Sequence, residues 1–186
     1  MNNKISEQEL YILSFYRASE LAGGLLFGKI AFHTEIDELR IPLTRHAAEE
    51  VEHGWLWTKA IMDLGLVPLK VTETYQSEYG KEFGMPTSLL EILCLTQVLE
   101  KRVVQHFAEH LKKPNLHPVI AKTLHDMVED ETYHLDWIKK KLDAHSEKNG
   151  HEEVDLLMKR LHEVDEIVYN RIMENQKIKG YIKQHD

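Results

Sequence analysis

Apolar residues recur along this chain at helical rather than strand spacing, and the pattern predicts an all-α protein of five long helices. In the first, Leu10, Leu13, Leu21, Leu25 and Phe32 follow one another at intervals of three, eight, four and seven. This helix is expected over about residues 7–33, opened by the capping box Ser6-x-x-Glu9. A second is expected over about 38–64, with Pro42 near its first turn, where a missing N–H costs nothing, and Gly65 at its end. Residues 65–86 hold two prolines and three glycines and form the one long connection, interrupted by a short helix around Thr72–Tyr79. Pro86-Thr87 opens a third long helix that ends near Lys113-Pro114. Asn115 is expected to cap the fourth, with Pro118 in its first turn, and this helix runs to about Ser146. Asn149-Gly150 then breaks the chain before an amphipathic fifth helix over 152–178. The expected architecture is one domain spanning 1–186, with a four-helix core at about 7–146.

A few polar residues violate the apolar stripes in an ordered way. Glu20 has Leu13 and Phe27 at heptad distance, and Glu100 has Leu93 and Phe107. A solvated charge run does not explain carboxylates on such faces. Each is followed, 30 or 31 residues later, by a Glu-x-x-His pair: Glu50 with His53, and Glu131 with His134. The midpoint of the first spacing is Glu35 and of the second lies between Asn115 and Leu116, both in expected turns. At about 1.5 Å per residue the chain travels roughly 20 Å, turns, and returns to the same level. All four segments can therefore meet in one layer of a bundle, with the 65–86 connection as its crossover. Glu and His at i and i+3 share a helix face. Four carboxylates and two imidazoles are the ligand set of a dinuclear metal site in a four-helix bundle, and their four negative charges balance two divalent ions. Without a cation, four carboxylates in an apolar core repel. With 12 histidines and 31 acidic residues a lone Glu-x-x-His arises easily by chance; the matched pair of half-sites is what carries the signal.

Composition narrows the partners. The 186 residues suit one domain with a sizeable core. The formal net charge of -8, without a basic stripe, argues against nucleic acid. No apolar run approaches the ~20 residues of a membrane span, and the polar start MNNKISEQEL lacks the apolar core of a signal peptide. The single cysteine, Cys94, excludes an internal disulfide and reads as a small buried hydrophobe. A cytoplasmic location is the expectation.

The segments YRASELAGG around Glu20, RHAAEEVEHGWLW around Glu50 and His53, LTQVLEKRVV around Glu100 and MVEDETYHLDW around Glu131 and His134 resemble the ferritin-like di-iron carboxylate superfamily. The resemblance covers about residues 7–146, and is nearest to the rubrerythrin-like and small di-iron oxygenase-like branches; the cysteines of a rubredoxin module are absent. It implies a ferritin-like four-helix bundle with one long crossover and an added C-terminal helix. It also implies two iron ions, with manganese or a mixed pair as the variant. Glu20, Glu50 and His53 would hold one ion, Glu100, Glu131 and His134 the other, with Glu50 and Glu131 as bridges. The activity implied is that of an oxidoreductase activating O2 or peroxide, an oxidase or oxygenase on a small organic substrate with an external electron donor. The alternative is a rubrerythrin-like peroxidase or a ferroxidase, an iron-handling stress protein. Gln97 stands where rubrerythrins commonly add a carboxylate, which speaks against their peroxidase chemistry, and two intact Glu-x-x-His pairs speak against a storage cage. A metal-free helical interaction module is a third reading, and it leaves four core carboxylates to explain. A homodimer is compatible with all three.

Around the ligands, Asp130 and Glu49 each precede a ligand Glu. In the resembling family such an acid often holds the opposite ligand histidine and sets its tautomer; the bland reading is a solvent-facing acid. Tyr16, one turn before Glu20, could donate a hydrogen bond or an electron, or simply pack. His46 is either a pocket residue or a satisfied buried histidine, and Trp57 is expected in the core. Gly23, Gly24 and Gly28 lie within an expected helix, at up to ~1 kcal/mol each relative to Ala. They either thin a wall and give access to the metals, or let another helix approach. His106 and His110 could take a surface metal.

Overall fold

The computed structural model describes residues 4–175 and 177–180. Among the described residues there are six helices and no strand: α1 (Glu7–His33), α2 (Asp37–Asp63), α3 (Tyr75–Glu82), α4 (Leu89–Leu111), α5 (Pro118–Asn149) and α6 (Glu152–Met173). The chain divides into two compact units, one of residues 4–78 with 177–180 and one of 79–175, with the boundary inside α3.

The local chemistry of the helix ends explains where the expected boundaries hold and where they move. Ser6 accepts a hydrogen bond from the Glu9 N–H at 3.0 Å, so α1 begins where its capping box places it. Pro42 is not in the first turn of α2 but is its sixth residue, so the carbonyl one turn earlier loses its intrahelical donor. The short helix begins at Tyr75 rather than Thr72, because Thr74 and Ser77 bond each other's backbone N–H groups and close its N-terminus there. Ser88 rather than Pro86-Thr87 opens α4: its hydroxyl accepts from the Glu91 N–H at 3.1 Å, while the Glu91 carboxylate accepts from Thr87 N–H at 2.6 Å. Those bonds to Thr87 hold the Glu91 carboxyl below its ordinary range. Asn115 does not cap α5. It takes a left-handed φ of 60° and turns the chain, whereas Pro118 occupies N1 and makes His117 the cap, its Nδ1 accepting from Val119 N–H. The helix continues to Asn149 and stops at Gly150, at φ 91°. The last helix ends at Met173, five residues short of the expected 178.

In the first unit α1 and α2 form a close hairpin. Gly24 and Gly54 set the closeness. A Cβ on Gly24 would lie 2.6 Å from Val51 Cγ2 and 3.1 Å from the Ala47 carbonyl, and one on Gly54 would lie 2.7 Å from Leu21 Cδ2. Arg17 bonds Thr58 Oγ1 across the same seam at 2.7 Å. The segment after α2 is pinned on α1 by the Leu69 N–H bond to Ser14 Oγ (3.0 Å), and Tyr75 packs edge-on against Phe15.

In the second unit α4 packs against both α5 and α6. Fully buried Phe107, Leu124, Met127, Ile138, Leu161 and Val168 fill it, each worth about 1.5–3 kcal/mol of burial. One charged group is tied into this apolar setting. The Arg102 guanidinium donates to Asp165 from both Nε and Nη2, and to Glu166 at 2.7 Å, and it lies 4.1 Å from the centre of the Tyr169 ring. The Tyr79 hydroxyl donates to the other Asp165 oxygen. Burial works against the Arg102 charge, and the bonds and charges of Asp165 and Glu166 more than offset it.

Candidate metal centre

Each hairpin brings its own Glu, Glu and His together. On α1 and α2, Glu20, Glu50 and His53 are all buried, and each offers one ligand atom within 4.8 Å of the others. His53 Nδ1 stands 3.9 Å from Glu20 Oε2. On α4 and α5, Glu100, Glu131 and His134 are likewise buried; His134 Nδ1 is 3.0 Å from Glu131 Oε2, and Glu100 and His134 offer atoms within 4.8 Å. In both halves the imidazole turns Nδ1, the nitrogen nearer its backbone, toward a carboxylate. For His134 the carboxylate is that of Glu131, its i, i+3 neighbour on the same helix face, whereas for His53 it is that of Glu20 on the facing helix.

The distances among Glu20, Glu50 and His53 suit a single ion. Two ligands at ~2.0–2.2 Å from a common first-row ion lie at most ~4.4 Å apart, so only small side-chain movements are needed. Carboxylate oxygen and imidazole nitrogen suit iron, manganese and zinc alike. Carboxylates this deeply buried are costly unless a cation or proton offsets them. Buried groups of Glu and His that could hold a metal ion are thus present.

The surroundings divide the remaining expectations. His46, one turn before Glu50, places Nε2 3.4 Å from Glu50 Oε1 and offers a ligand atom within 4.8 Å of one of Glu50's, while its ring stands edge-on to Phe27 at 4.2 Å. It is a further candidate donor, which the pattern of three ligands per half did not include; its signal was the stripe His46, Glu50, His53 at i, i+4 and i+7. Trp57 is fully buried, with Tyr16 packed 5.1 Å from it and itself buried. Gln97 is half-buried, one turn before Glu100, and its Oε1 has no hydrogen-bond partner among the described residues. Glu49 is half-buried and ion-paired to Arg45 on its own helix at 2.8 Å, and Asp130 is exposed. Glu78 is a buried acid that the sequence pattern did not single out.

Gly23 and Gly24 have distinct neighbours. A Cβ on Gly23 would fall 2.3 Å from Glu50 Oε2, so this glycine makes the room in which the ligand carboxylate sits. Gly24 lies against the α2 backbone, as close helix approach requires. His106 and His110 are not on the surface: both are buried in the second unit. Burial, then the Arg102 charge, pushes His106 down to about 3, so its ring is neutral at ordinary pH. Cys94 is buried, and desolvation raises its thiol to about 11, which leaves it unreactive.

No protein-family model, no curated protein and no solved structure matches the chain. Among the described residues no helix is long and apolar enough to cross a membrane.

Proposed function

We propose that the two half-sites join as one dinuclear centre in a ferritin-like four-helix bundle, and that the protein is a non-haem di-iron oxidoreductase acting with O2 or peroxide, on a small organic substrate. The observation that carries this reading is the duplication: two hairpins of unrelated surface sequence each bury a Glu, a second Glu and a histidine with Nδ1 toward a carboxylate. In this reading Glu20 with His53, and Glu100 with His134, are the terminal ligands of the two ions. Glu50 and Glu131 would be ligands shared by the two ions. Two iron ions would supply the paired electrons that reduce O2 or peroxide without release of a one-electron product.

The chain's own groups prepare that chemistry. Gly23 keeps space for the Glu50 carboxylate. Trp57 and Tyr16 seal the helix layer beside the first half-site and exclude water from it. His46 Nε2, facing Glu50 Oε1, can hold a proton while that carboxylate carries no cation and release it when a cation arrives. Gln97 Oε1 offers an uncommitted acceptor one turn from Glu100, and as an amide it adds no fifth negative charge.

The test is to load the protein anaerobically with Fe(II) and mix it with O2 or peroxide. Oxidant consumption that depends on an added organic substrate and an electron donor supports the oxygenase reading. Fast peroxide turnover with a donor alone makes it a peroxidase, and iron oxidation with loading beyond two per chain makes it an iron-handling protein. No reaction with either oxidant in iron-loaded protein sinks all three.

A further inference from the structure

The first unit exposes an apolar face that the metal reading does not use. On α1, Ala18, Leu21, Leu25, Gly28 and Phe32 repeat at intervals of three and four. On α2, Thr44, Ala48, Val51, Trp55, Thr58 and Met62 repeat in the same way. Not one of these positions is charged, in a chain whose residues are 29% charged. The large members stand in solvent: Leu25 is 75% exposed, Phe32 83% and Trp55 55%. About 120° around each helix from the ligand side, the two stripes are one surface, because Leu21 lies over Gly54 and Val51 over Gly24. In the second unit, by contrast, the exposed large apolar residues Met85, Tyr133, Leu156 and Ile167 lie on the segment before α4 and on separate stretches of α5 and α6, the ordinary scatter of a protein surface.

We infer that this face is the seat of a second copy of the chain, in a two-fold symmetric dimer. Three features select that occupant. A three–four repeat is the spacing by which helices pack on helices, so the partner is helical. The stripe positions carry no charge with which to recognise a nucleic acid, a metal or a charged peptide, and the Arg17 cation beside them is engaged with Thr58 Oγ1 at 2.7 Å. Both helices bear the same repeat, so a two-fold axis lying in the face sets apolar stripe on apolar stripe, as an isologous contact requires. The size fits as well. Two helices about 10 Å across and about 25 Å long give on the order of 500 Å² in projection. That exceeds the ~400 Å² tolerated on a monomer surface and approaches the ~800 Å² of accessible area each partner gives to a stable interface. The inference is independent of whether metal binds.

Sedimentation equilibrium of the full chain, from about 1 to 100 μM, tests it. The expected mass is twice the 21.8 kDa of the chain. Leu25→Glu and Trp55→Glu, both at exposed positions, should each weaken the dimer at least about 100-fold while helix content and melting of the monomer stay near wild type; helix content is read by circular dichroism. A monomer at the highest concentration overturns the inference, and so does a dimer that both variants leave intact. Association only with zwitterionic lipid vesicles, lost in the same variants, assigns the face to a membrane surface and overturns it too.

Discussion

The α1/α2 hairpin sets Glu20 30 residues before Glu50, and the α4/α5 hairpin sets Glu100 31 residues before Glu131, yet the two are built differently around the same ligands. The first is seamed by glycine: Gly23, Gly24 and Gly54 bring side chain or backbone of one helix into the space a Cβ would fill on the other. Neither α4 nor α5 contains a glycine. The first leaves its outer face bare. The second carries α6, fastened on by the buried Arg102–Asp165 pair. Helical register alone places the candidate ligands, and each scaffold then solves separately how closely its helices approach and what covers its back.

The largest effect should come from the fastening of α6. Asp165→Ala leaves a guanidinium that is only 16% exposed without its main acceptor, and should cost about 3–5 kcal/mol in urea denaturation. Arg17→Ala, which removes the Arg17–Thr58 bond of the first hairpin, should cost only about 1 kcal/mol. Equal losses would break the contrast.

Acid should act through the second unit as well. His106 is held at about 3, below its unfolded value near 6.5, so the unfolded chain takes up the proton first. Its contribution is full above pH 6.5 and is lost as pH falls toward 3, on the order of 3 kcal/mol by pH 4. His106→Gln should flatten the stability profile over that window. An unchanged slope would assign the acid sensitivity to the carboxylates.

The glycine seam predicts a smaller, paired effect. Gly24→Ala should lower stability by about 1–3 kcal/mol, since the new Cβ meets Val51 and the Ala47 carbonyl. Gly28→Ala, whose Cβ would meet only Ala47 Cβ at 3.9 Å, should be neutral or stabilise by up to ~1 kcal/mol. Oxidation of the iron-loaded protein should be unaffected by either. A slowed oxidation with unchanged melting would instead make the seam an access route. Smallest of all, Ser6→Ala and Ser88→Ala should each cost about 1 kcal/mol, with equal losses in the two units.

Much of this was legible from residue pattern. The five long helices follow from apolar period, and α1 is placed to the residue because Ser6 and Glu9 form a local cap. Boundaries moved where two local signals competed: Pro118 overrode Asn115 in setting the α5 cap, and the Thr74–Ser77 exchange overrode propensity at α3. The buried carboxylates and imidazoles were legible because they recur on apolar faces at regular spacing. Asp165 and Arg102 were not, since their partners lie on different helices and no local spacing announces them. Nor could a glycine pattern alone separate access from close approach; that distinction needed the position of Glu50 Oε2 beside Gly23.

If the two half-sites make one dinuclear centre, the metal stoichiometry of half-site variants reveals it. Protein purified without chelator, with iron and manganese both counted, should hold two ions per chain. Because Glu50 and Glu131 each touch both ions in this account, Glu50→Ala and Glu131→Ala should each lose both, with the helical fold retained. Loss of a single ion from each variant, with the other bound as tightly as before, would mean two separate mononuclear sites and contradict the account.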